Sequence, residues 1–119
     1  MDDLFGLLLK VFFAGQISLF TQEKLQKAVE LLYTDPAEAN RILDTIGARQ
    51  RPRYGQEILS AAVFYYKGIA SDLLGRDRDA VFYLDIVEEI PSWYVIYGRA
   101  TLEDIKEEAR QLKNGILKT

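Results

Sequence analysis

The chain has neither cysteine nor histidine. Thiol chemistry, histidine-based triads and the usual zinc sites are therefore excluded, and carboxylates, phenols, hydroxyls and cations are left to do any chemistry. General acid–base work would call on Glu57, Asp72 or Asp85 together with Tyr65 or Tyr66, because carboxylates and phenols held in one cleft can be tuned apart. The spacing of these residues does not by itself bring two of them together. Gly55, Gly68 and Gly75 form neither a GxGxxG nor a GxxxxGK[ST] loop, so no phosphate cradle is written. One basic cluster remains: Arg49, Arg51 and Arg53 beside Tyr54, a candidate anion contact or an exposed, solvated loop. No cofactor, no metal and no catalysis are expected.

The elements that must position these groups are read from punctuation and period. At 119 residues, with 49% hydrophobic and 28% charged residues, the chain is one domain, 1–119, able to build a core without disulfides. Its net charge of -3 provides no field for nucleic acid. Proline and glycine leave helix-sized pieces and strand-like alternation is nearly absent, which predicts an all-α fold of about six helices.

An apolar helix over 1–16 comes first. Thr21 is read as the cap of a second helix carrying Leu25, Ala28, Leu31 and Leu32, ending near Tyr33. Asp35-Pro36-Ala37-Glu38 is the clearest helix start, and the helix it opens presents Ala39, Ile42, Leu43 and Ile46. After the arginine loop a long helix runs from about Gln56 to Leu74, then one from a cap at Asp77 to Glu89, stopped by Pro91. Residues 92–100 are not decided by their pattern. A last helix over 101–118, capped at Thr101, has one apolar stripe of Leu102, Ile105, Ala109, Leu112 and Ile116, suited to closing a stack. The core is expected from Leu31, Leu32, Ile42, Leu43, Ile46, Phe64, Gly68, Ala80, Leu84, Val87, Leu112 and Ile116.

Within 56–91, Phe64 stands four residues before Gly68, Gly75 marks the turn, Ala80 faces Gly68, Leu84 and Val87 follow, and Pro91 closes the unit. This segment resembles a tetratricopeptide repeat. A weaker copy over 21–48 sets Ala28 in the place of Gly68 and Ala39 in that of Ala80. Lys67, Ser71 and the early Pro91 depart from the pattern. The resemblance implies a right-handed array of antiparallel helical hairpins with a C-terminal capping helix. It also implies a concave face lined by Ala62, Tyr65, Ile69, Asp72 and Leu73 from one copy and by Leu25, Val29, Leu32 and Tyr33 from the other. Such a face is expected to bind a helix or peptide segment of another protein, making the chain a non-catalytic adaptor, scaffold or small chaperone-like subunit. The Lys and Asn set with which some family members clamp a C-terminal carboxylate is not visible at these positions. The same face can instead be covered by the chain's own first or last helix. A small enzyme subunit with its cleft near Tyr65 is the rival reading.

The run Leu4 to Ala14 is apolar on nearly every side. Asp2 and Asp3 stand where a secretory signal wants positive charge, and Lys10 interrupts a run too short to span a bilayer, so a cytoplasmic protein is expected. Three covers suit such a helix: the chain's own groove, a second subunit, or a membrane surface, the last in a membrane-anchored assembly factor. A membrane-surface helix shows a cationic face that this one lacks. Phe5, Leu8, Leu9, Phe12 and Phe13 are therefore expected between subunits, in a homodimer or hetero-oligomer.

Overall fold

A computed structural model describes residues 2–93 and 95–118, with the side chains of Asp2 and Asp3 left out of the description. Six helices follow in order: α1 Asp2–Gly15, α2 Leu19–Leu31, α3 Pro36–Asp44, α4 Glu57–Leu73, α5 Asp77–Glu89 and α6 Arg99–Leu117. No strand occurs among the described residues. The fold is all-α.

Local chemistry explains most of the boundaries. Asp35 Oδ1 accepts the backbone N–H of Glu38 at 3.2 Å, and Pro36 occupies the first turn of α3, as its four-residue start predicts. Gly75 takes φ +75 after α4, a conformation that costs a side-chain-bearing residue more than glycine. Three expected caps are corrected. Ser18, not Thr21, caps α2: its Oγ accepts the Thr21 N–H at 3.3 Å, so the helix starts two residues early. Asp77 lies inside α5, in the first turn with Asp79, where the pair face the positive end of the helix dipole. Thr101 lies inside α6, which begins after Gly98 at φ +79. Arg99 holds the preceding segment in place, its guanidinium donating to the carbonyls of Val95 (2.9 Å) and Trp93 (2.6 Å).

The centre of the molecule is α4. Thirteen of its seventeen residues are buried, as befits a helix contacted on every side, by α1, α3, α5 and α6. Its small residues Ser60, Ala61, Ala62, Gly68, Ala70 and Ser71 let those neighbours approach closely. The three-residue connection between α4 and α5, Leu74-Gly75-Arg76, obliges an antiparallel hairpin, and α6 packs on both members of it. Polar contacts pin the seams. Lys67 reaches from α4 to Asp44 of α3 at 2.6 Å and lies 4.6 Å from the centre of the Tyr83 ring. Lys113 of α6 bridges Asp85 (2.9 Å) and Glu88 (3.0 Å) of α5.

Of the expected core, Leu32, Leu43, Ile46, Phe64, Ala80, Leu84, Val87 and Ile116 are buried, while Leu31, Ile42 and Leu112 pack half-buried at its margin. Helix α1 does cover its own chain, through Leu7, Leu8 and Val11. Leu8, expected between subunits, is only 3% exposed inside this core, and Phe12 is half-buried against it. Phe5, Leu9 and Phe13 remain outside.

Candidate functional site

Four residues of α4, Tyr65, Ile69, Asp72 and Leu73, recur at steps of three and four and so share one face. That face opens into a cleft of about 440 Å³. Tyr33, just beyond the end of α2, forms one wall, Leu4 of α1 another, and Glu108, Gln111 and Leu112 of α6 the third. Tyr65 and Ile69 make the floor and are nearly buried, whereas Tyr33 (65% exposed) and Leu73 (42%) stand at the mouth. The Tyr65 ring lies against Tyr66 with centroids 5.4 Å apart, and the Tyr66 hydroxyl donates to the Leu4 carbonyl at 3.4 Å. These contacts tie α1 to the floor. Burial pushes the Tyr66 phenol well above its ordinary value, and the neighbouring Tyr65 adds to the shift. Two carboxylates, Asp72 and Glu108, supply the charge of the lining, and no lysine or arginine is among the lining residues.

Five of the nine residues expected on a binding face are thus gathered here: Tyr33, Tyr65, Ile69, Asp72 and Leu73. The other four are corrected. Leu25, Val29, Leu32 and Ala62 are buried in the core, because the surfaces they were assigned to are closed by packing within the chain. The contributions of Leu4, Glu108 and Gln111 were not legible, since they come from α1 and α6, helices distant along the chain from the α4 face on either side. Leu112 belongs to the α6 stripe, and its position at the stripe's edge is what turns it into a wall.

The acid–base candidates are not assembled. Fifteen residues of one helix separate Glu57 from Asp72, about 22 Å along the axis at 1.5 Å per residue. Asp85 is engaged by Lys113 on another seam, and its hydrogen bond, with that of Glu88, holds the Lys113 ammonium above its ordinary value. Glu57 is buried at the start of α4, where its Oε1 accepts the Gly55 N–H at 2.9 Å. Arg49, Arg51 and Arg53 stand exposed on the loop before α4, with no ion pair to them among the described residues.

Comparison with protein-family models, with curated proteins and with solved structures gives no match.

Proposed function

We propose that this chain is a non-catalytic protein-interaction module that seats an apolar segment of another protein, bearing lysine or arginine at its edge, in the cleft between Tyr33, Leu73 and Leu112. The observation that carries the reading is the composition of that cleft. Its floor and two of its walls are apolar or aromatic, its third wall sets Leu112 beside the polar Glu108 and Gln111, its size lies in the range of ligand sites, and its fixed charges are the carboxylates of Asp72 and Glu108. An apolar anchor gains by leaving water against Tyr65, Ile69 and Leu73, and a cation beside it gains from the acidic rim. Carboxylates at an apolar mouth disfavour an acidic partner for the same reason. The succession of helical hairpins with a polar-faced last helix supports a tetratricopeptide-like array as the scaffold.

The test is selection of a random peptide library on the immobilised full chain, followed by affinity measurement of the recovered peptides. The expected peptides combine aliphatic or aromatic anchors with a basic residue. Their affinity should fall at least about tenfold on the double substitution Tyr33→Ser, Leu73→Lys, two exposed positions whose replacement spares the core. Undiminished binding to that variant would place the site elsewhere.

A further inference from the structure

Helix α1 has two apolar faces, and the fold uses one. With 3.6 residues per turn, Leu4, Leu7, Leu8 and Val11 point together into the chain, and Phe5, Gly6, Leu9 and Phe13 point together on the opposite side. Phe5 is 46% exposed, Leu9 57% and Phe13 87%. No helix among the described residues is long and apolar enough to cross a membrane. The one lysine of α1, Lys10, has its ammonium 3.2 Å from Asp104 of the chain's own α6, so the flank offers no cationic face to a lipid surface.

Three features of the outer face fit a second copy of the same chain. Phe5, Leu9 and Phe13 form one ridge at four-residue steps with Leu9 midway. A two-fold axis through Leu9 therefore sets Phe5 of each copy on Phe13 of the other, which is the self-complementarity an isologous interface needs. Gly6 shares this face, and a Cβ built there meets nothing within 4 Å. Glycine inside a helix is less favourable than alanine, and here its own chain gains no packing from it. It leaves room for another backbone. Beside Phe13 a hollow of about 430 Å³ is bounded by Ala14, Tyr97 and Gly98, large enough for a phenyl ring. Tyr97 is itself 79% exposed. Taking about 150–250 Å² for a fully exposed aromatic side chain, the ridge and Tyr97 present about 500 Å² per copy, so two copies reach about 1,000 Å², the lower bound for a specific interface.

We propose that the chain forms a two-fold symmetric homodimer in which α1 crosses α1 of a second copy in antiparallel sense, centred on Leu9, with Phe5 of each copy seated beside Phe13 and Tyr97 of the other. The proposal does not depend on the peptide cleft, since none of these residues lines it.

Sedimentation equilibrium of the full chain should give a dimer that dissociates on dilution. Leu9→Glu should raise the dissociation constant at least about 30-fold, while Phe82→Glu, at an exposed position of α5, should leave it unchanged; circular dichroism verifies that both variants stay helical. Because the chain has no cysteine, introduced thiols report geometry directly. On oxidation Leu9→Cys should cross-link with itself, and Phe5→Cys should cross-link with Phe13→Cys in a mixture more than either does alone. A chain monomeric at every concentration would overturn the proposal, as would self-linking of Phe5→Cys at the rate of the mixed pair, which marks a parallel arrangement. Flotation of a monomeric wild type, lost in Leu9→Glu, with phosphatidylcholine–phosphatidylglycerol vesicles would overturn it in favour of lipid.

Discussion

The backbone of Gly68 lies against the side chain of Leu84: a Cβ added at Gly68 would stand 2.6 Å from Leu84 Cδ2 and 2.9 Å from its Cγ. The carbonyl of Ala80, at 3.6 Å, completes the contact between α4 and α5. Close approach of these two helices thus rests on a missing methyl group. Gly68→Ala gains about 1 kcal/mol of helix propensity, but overpacking a filled core costs about 1–3 kcal/mol. Overpacking should win, because Leu84 is wholly buried and Cγ cannot swing away as a side-chain tip would. The urea midpoint should fall for Gly68→Ala and fall further for Gly68→Leu. Gly115→Ala, in α6 with open space around it, should raise it. A rise for both alanine variants would show that α5 yields easily.

Gly98 joins three helices. It sits at φ +79, and a Cβ there would lie 2.3 Å from Ile58 Cδ1 and 2.9 Å from Ala14 Cβ. Ile58 can turn, but Ala14 has no rotamer to change. Left-handed backbone strain and the displaced α1 together should cost Gly98→Ala about 2–3 kcal/mol in chemical denaturation. A loss below about 0.5 kcal/mol would mean that α1 is not held at this joint.

Stability should decline in alkali. The folded chain holds the Tyr66 proton above the ordinary phenol value of 10.0, because burial disfavours the phenolate, and holds the Lys113 proton above 10.5 through Asp85 and Glu88. Both pKa values are raised, so their contribution is complete below the unfolded values. It is lost as pH rises toward the folded ones, where the unfolded chain binds fewer protons. Tyr66→Phe removes the first of these groups. At neutral pH it should cost no more than about 1 kcal/mol, the worth of the long bond to the Leu4 carbonyl. Above pH 10 the gap between wild type and variant should close. Parallel curves from neutral pH into strong alkali would contradict the assignment.

Helix number, most boundaries and the Gly68 contact were legible along the chain because their causes act within a few residues. Asp35 caps its own helix, Gly75 ends the one before it, and small residues at fixed spacing announce close packing wherever their partner comes from. The α4 side of the cleft was legible for the same reason, Tyr65, Ile69, Asp72 and Leu73 being one face of one helix. What covers that face was decided in three dimensions. Leu4 and Glu108 are 104 positions apart in sequence, and no local signal says that α1 and α6 both lean on α4. Burial of Leu25, Val29, Leu32 and Ala62 follows from the same closure. For α1 the periodicity was symmetric: Leu8 and Leu9 are equally apolar neighbours, and only packing against α4 and α6 turned Leu8 inward and left Leu9 at the surface. Local chemistry makes a helix, but which of two apolar faces it buries depends on the surfaces that distant segments bring to meet it.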